Sequence, residues 1–158
     1  MSSSQLAQLN LAHLVAPIES PILADFVANL DRINALAEHS PGFVWRLQTE
    51  DGDATTIRYF GADMLVNLSV WESVEALHRY VYESAHIEIM RRRKEWFEKM
   101  RENHVVLWWV PAGHRPSLLE AEAKMEHVRK LGPSQQAFTF GKPFPAPDRA
   151  IDGDLSAR

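Results

Sequence analysis

The sequence predicts an α+β fold: a ferredoxin-like antiparallel sheet with helices on one face, on three observations. Residues 5–15 (QLAQLNLAHLV) alternate, with Ala7, Leu9 and Leu11 on one side and Gln8 and Asn10 on the other, the period of two that marks a strand. The elements that follow come in the order of a split β-α-β unit. Residues 105–110 (VVLWWV) are apolar on both faces, so this strand needs cover on the side that the helices of such a fold leave bare. A partner's sheet would supply that cover and close a dimeric α/β barrel.

Each element has its own signal. Pro17 and Pro21 punctuate the exit from the first strand, and Ser20 is placed to cap a helix with Pro21 in its first turn. That helix runs to about residue 39, where Pro41-Gly42 ends it. Phe43, Trp45 and Leu47 alternate with Val44, Arg46 and Gln48 as a second strand, and Glu50 to Asp53 form a turn. Residues 55–59 read as a short extended segment. The third strand is 64–71 (MLVNLSVW), with Val66, Leu68 and Val70 on one face. Ser73 caps a helical region that runs, with a break near Ser84, to about Asn103. After the fourth strand come a loop at Pro111 to Pro116, a helix from Ser117 to Leu131, and a short last strand at 137–140. The chain is thus one domain over residues 1–141 with a Pro-rich, extended tail over 142–158.

Composition narrows the function. The chain has 158 residues, 46% of them hydrophobic and 24% charged, an ordinary globular composition. The absence of cysteine excludes disulfides, thiolate metal sites and a Cys nucleophile. A net charge of −4 does not suit a nucleic-acid binder, and the basic run Arg91 to Lys94 is interleaved with Glu88, Glu95 and Glu98. The first residues lack the basic and apolar regions of a signal peptide, and no apolar run reaches the length of about 18 residues that a membrane span needs. A cytoplasmic location is expected, with no membrane and no nucleic acid among its partners. None of the seven glycines forms a phosphate-loop pattern, and no histidine pair has HExxH spacing.

What remains is a set of polar residues on apolar stripes. If residues 82–100 form one helix, Tyr82, Ile89, Trp96, Phe97 and Met100 define its buried stripe, and His86 and Arg93 fall about 40° and 20° from Tyr82, inside it. Ionisable groups there are costly unless paired or hydrated. In the first helix Asn34 lies within the stripe of Leu23, Phe26, Val27, Leu30 and Ile33. Asn67 and Ser69 interrupt the third strand on the face opposite Val66 and Leu68, and Arg46 lies beside Trp45. Each has a bland reading: His86 as a core histidine on a backbone carbonyl, Arg93 as half of an ion pair, Asn34 as a turn cap, Trp108-Trp109 as core. Their coincidence favours a small-molecule site.

The segments FVANLDRINALAEHSPGFVWRL, LSVWESVEALHRYVYESAH, RRRKEWFEKM, LWWVPAGHRPS and GPSQQAFTFGKPFP together resemble a bacterial domain-of-unknown-function family, number 3291, over about residues 8–145. That family in turn resembles the antibiotic-biosynthesis-monooxygenase group of dimeric α/β barrels. The resemblance implies a homodimer with a small cavity between sheet and helices in each subunit. It also implies an activity on a small apolar or aromatic metabolite, in its concrete form a cofactor-independent monooxygenation. The family transfers no residue roles. On the residues alone, His86 serves as base, Arg93 as oxyanion partner and Asn34 as orienting amide. Tyr82, Trp96, Trp108, Asn67 and Arg46 contact substrate. Two alternatives stay open: a haem protein with His86 or His114 as axial ligand, and a non-catalytic dimeric ligand-binding module.

Overall fold

In the computed structural model, which describes residues 3–50, 52–84 and 86–147, strand β1 (Ser4–Leu14) is the centre of the sheet. Strand β3 (Met64–Trp71) runs antiparallel along one side of it, from Leu6 opposite Trp71 to His13 opposite Met64. Strand β5 (Val105–Pro111) lines the other side, from Ser4 opposite Pro111 to Asn10 opposite Val105. The two-residue strand β4 (Phe97–Glu98) extends that side at His13 and Leu14. Strand β2 (Phe43–Arg46) is the outer neighbour of β3. The order β2-β3-β1-β5 is that of the ferredoxin-like fold, and the sheet is open.

The first helix, α1 (Ala24–Glu38), follows a single 3₁₀ turn at Pro21–Leu23. Proline holds the first position as expected, but the Ser20 side chain makes no capping bond. The chain then turns at Gly42, φ +86°, where an added Cβ would lie 2.5 Å from the Cβ of Ala76. The left-handed backbone costs a side chain about 1–2 kcal/mol and overpacking about 1–3 more. Gly42→Ala should therefore lower the urea midpoint by the equivalent of about 2–5 kcal/mol with an unchanged m-value.

Ser73 caps α2 (Val74–Glu83) by accepting from the Ala76 N–H at 3.1 Å. The helix stops at Ser84, which is extended and whose hydroxyl donates to the Tyr80 carbonyl and accepts from the His86 N–H. Two short helices follow, α3 (His86–Arg91) and α4 (Arg93–Trp96). The helical region expected to reach Asn103 ends at Trp96 instead. There the chain rejoins the sheet, with the Trp96 carbonyl accepting from the Val15 N–H at 2.9 Å.

The last helix, α5 (Leu118–Leu131), is capped by Ser117. It lies on the opposite face of the sheet from α1 and α2. Ala121, Met125 and Val128 pack with Ala7, Leu9, Leu11, Val66, Leu68, Val70, Val106, Trp108 and Val110, all buried. The second cover that VVLWWV demands is therefore supplied by the chain itself. Trp45, Leu47, Ile57 and Phe60 pack against the margin of that core, and residues 55–59 form turns where an extended segment was expected. A bulge between Phe43 and Trp45 sends Phe43 to Trp71 on the face of α1 and α2, while Trp45 joins the α5 side.

Residues 137–140 make isolated bridges rather than a strand: Ala137 pairs with Ser134, Thr139 with Lys142, and Phe138 with Leu107, the last pair exchanging both backbone bonds at 2.8 Å. The segment beyond stays on its own chain, with the Phe144 carbonyl accepting from Trp109 Nε1 at 2.9 Å and Ala146 buried. Residues 148–158 of the expected tail lie outside the described residues. No helix among the described residues is long and apolar enough to cross a membrane.

Candidate functional site

The side chains of β1 that face α1 and α2 are Leu6, Gln8, Asn10, Ala12 and Leu14. Those of β3 are Leu65, Asn67, Ser69 and Trp71. Strand register assembles them into rows. Phe43, Trp71, Leu6 and Trp109 form an apolar row at one end. Arg46, Ser69, Gln8 and Leu107 form the next, followed by Asn67, Asn10 and Val105. Leu65 and Ala12 begin the apolar far end. A polar band thus crosses the middle of a face that is apolar at both ends.

The helical layer follows the same division. One cluster joins Leu6, Trp71 and Leu107 to Ala37, Ala76 and Leu77. Another joins Leu14 and Leu65 to Leu23 and Trp96. Between them Leu30, Ile33 and Asn34, on the stripe of α1 shared by Leu23 and Ala37, are only half-buried. Asn10 and Asn67 are exposed although they sit in mid-sheet. The helices pack on the sheet through its two apolar ends, and the polar band between them, with Asn10 and Asn67 exposed, is the candidate cleft. Separately, a recess of about 270 Å³ opens between the end of α1 and α2, lined by Ser40, Pro41, Ala76, Tyr80 and Ser84 among others. The larger groove, about 430 Å³, lies between α2 and the C-terminal segment, at Val74, His78, Phe140 and Pro143, away from the polar rows.

The floor is wired in one direction. Gln8 Nε2 donates to Asn67 Oδ1 at 2.5 Å and to Ser69 Oγ at 2.8 Å. Trp71 Nε1 donates to the same Ser69 Oγ at 2.9 Å. With its oxygen held by Gln8, Asn67 keeps its NH₂ group without a partner among the described residues, as a pair of oriented donors. Gln8 and Ser69 are buried, so this orientation is protected from water.

A chain of rings leads from the floor to the histidine. Trp71 stacks on Tyr80 at 5.1 Å, and Tyr80 meets His86 at 4.8 Å. The Tyr80 hydroxyl donates to the Ile33 carbonyl at 3.3 Å. Burial raises the phenol above its ordinary range, against the pull of the Arg46 charge, so Tyr80 stays neutral. His86 Nδ1 lies 3.4 Å from the Val81 carbonyl, which makes Nδ1 the donor and leaves the lone pair on Nε2. Burial holds its pKa below the usual value, and the Val81 carbonyl offsets part of that.

The expected site residues divide. Asn67 and Arg46 stand on the cleft floor, Asn34 on the facing stripe of α1, and His86 at the end of the ring chain. Arg93 is exposed on α4, where its charge helps to lower the pKa of His104 after burial. No contact joins it to His86 or Asn34 among the described residues. Tyr82 is exposed on the outside of α2 against His78 and Phe140. The helical stripe drawn from Tyr82 does not carry through, because the backbone breaks at Ser84 and again before Arg93. Trp96 is core, 1% exposed, with the Arg92 guanidinium 4.8 Å from its ring centroid. Trp108 belongs to the α5 face and donates to Glu120 at 2.9 Å. His114 is exposed with Nε2 held 2.7 Å from Glu120 Oε1, so that nitrogen is not free for an axial bond. Ser69 stood beside Asn67 in the sequence pattern, whereas Gln8, Asn10, Trp71 and Tyr80 were not singled out as site residues. The signal that could have found them is the pairing of two interrupted strands, Gln8-x-Asn10 beside Asn67-x-Ser69.

No curated protein matches the chain. Among solved structures it is similar to NE2512, a protein of unknown function from Nitrosomonas europaea, at 14% identity and a TM-score of 0.46, covering 73% of this chain and 97% of that one. It is also similar to SnoaB, a cofactor-independent oxygenase from Streptomyces nogalater, at 19% identity and a TM-score of 0.43, covering 73% and 97%. Residues 5–153 match the family described as Domain of unknown function (DUF3291), and the chain belongs to that family.

Proposed function

We propose that this protein is an enzyme that deprotonates a small aromatic, enolisable metabolite in the cleft and lets the resulting carbanion react with dioxygen without a cofactor. The observation that carries the reading is the Asn67 amide, held by Gln8 with its donors free in the middle of an otherwise apolar face. Such a pair of donors, held in orientation by the buried Gln8, stabilises an enolate or phenolate oxygen as charge develops on it. His86 Nε2 takes the proton. The carbanion then adds dioxygen to give a peroxide anion, and His86 returns its proton to form the hydroperoxide. Loss of water leaves a carbonyl where a CH₂ stood, so one oxygen atom enters the product and the other leaves as water. Monooxygenation is the concrete form that the family resemblance favours, with His86 as its base and Asn67 as its oxyanion donor in this reading.

The test is oxygen uptake by the chelator-treated protein with a panel of hydroxylated anthrones and naphthols. Uptake that His86→Gln abolishes supports the reading. A haemin titration with a stoichiometric Soret band lost in His86→Ala would overturn it in favour of a haem protein.

The pH dependence follows from the depressed pKa of His86. Its neutral form persists to lower pH than in a free imidazole, so kcat/KM should rise through a pKa below about 6.5 and then level off. Stability carries the same sign. Below pH about 6.5 the unfolded chain takes up the proton before the folded one does, so stability is lost as pH falls from there toward the folded pKa. His104, also depressed, contributes in the same direction, so His86→Gln should remove only part of the slope in urea titrations between pH 7.5 and 5 (the range is about that of histidine titration).

A further inference from the structure

Arg46 closes the polar band at the β2 edge. It pairs with Ser69, which pairs with Gln8, so the three share one face and one row. Its side chain is only 12% exposed, and its Nε is buried without a hydrogen bond. Glu38 at the end of α1 forms its ion pair, with Oε2 3.7 Å from that Nε. This is within ion-pair range but too long for a hydrogen bond. The Glu38 carboxylate is 42% exposed, so water competes for it. Tyr80 feels the Arg46 charge but remains a neutral phenol. A guanidinium Nε that is buried and left without a hydrogen-bonded acceptor is costly, and the planar fork of the group matches a carboxylate.

We propose that Arg46 receives the carboxylate of the substrate, so that the cleft takes an aromatic acid with its carboxylate on Arg46 and its enolisable oxygen under Asn67. This rests on the reading above and narrows it to a substrate class. Arg46 lies one strand across and two residues along from Asn67, about 8 Å by strand spacing and rise. That span fits one or two fused rings. Glu38 acts as the internal stand-in that the ligand's carboxylate displaces. A merely structural Arg46, tying β2 to the end of α1, would bind no ligand and would favour no acid.

The experiment is calorimetric titration with 2-naphthoate and with the neutral 2-naphthamide, on the wild type and on Arg46→Met, Arg46→Lys and Glu38→Gln. Naphthoate should bind at least about tenfold more tightly than the amide. Arg46→Met should erase that preference while leaving amide affinity unchanged, and Glu38→Gln should tighten naphthoate by removing the competing carboxylate. Equal affinities for acid and amide in the wild type, no naphthoate binding, or parallel losses of both ligands in Arg46→Met would overturn the proposal. If Arg46→Met does not fold, Glu38→Gln and the acid–amide pair on the wild type decide it. Oxygen uptake separates the two claims. Arg46-dependent naphthoate binding with no uptake from any aromatic acid sinks oxygenation alone, whereas equal kcat/KM for acids and their esters sinks the carboxylate site alone.

Discussion

Replacing Asn67 with alanine should lower kcat/KM in the oxygen-uptake assay by about two to three orders of magnitude, the usual loss on removing one oxyanion donor, while the protein stays folded. Asn67 is exposed in mid-sheet, so truncating it empties no packed core. Its structural cost is one acceptor for Gln8 Nε2, which keeps Ser69 Oγ at 2.8 Å, so a loss of about 1 kcal/mol is expected. Asn67→Asp sharpens the result. It keeps an oxygen for Gln8 but replaces the donors facing the cleft with an anion, and should be as inactive as the alanine variant. Wild-type turnover in Asn67→Ala, with stability also unchanged, would sink the assignment of the floor as the reacting site.

Trp71→Ala should give the largest loss of stability, about 3–5 kcal/mol in urea titrations, as for other large-to-small changes in a core. Trp71 is 1% exposed. Its ring takes the edge of Phe43 at 5.4 Å and the face of Tyr80 at 5.1 Å, and its Nε1–H donates to Ser69. Truncation therefore empties the apolar end of the cleft and frees Tyr80, the ring that His86 rests on. Trp71→Phe separates the two losses. It retains most of the volume but leaves Ser69 bonded to Gln8 alone, and should cost less than half as much while still loosening His86. A Trp71→Ala variant within about 1 kcal/mol of the wild type would mean that this cluster does not anchor α2 to the sheet.

Both predictions rest on residues that the sequence treated unequally. Asn67 stood out because a polar residue on an apolar strand is legible at period two. Gln8 and Asn10 carried the same signal but were read only as the side of β1 opposite Ala7, Leu9 and Leu11, since one strand cannot reveal which of its faces a helix covers. Arg46 was visible only as a neighbour of Trp45. Its place beside Ser69 required the register of β2 on β3, and the bulge after Phe43 sets that register. Tyr82 and Arg93 were misplaced for a different reason. An angular position holds only along one unbroken helix, and Ser84 breaks this one by bonding its hydroxyl to the Tyr80 carbonyl.

Local chemistry thus determined most of the element types, the cap at Ser73, the break at Pro41-Gly42, and the α+β class with its ferredoxin-like order. These depend on side-chain period and on backbone restrictions that act within a few residues. Tertiary structure alone decided that α5 covers the far face of VVLWWV, that Trp96 and Trp108 serve as core, and that Arg46, Ser69, Gln8 and Asn67 form one band. Those are contacts between residues tens of positions apart, set by strand register and by which surfaces find cover.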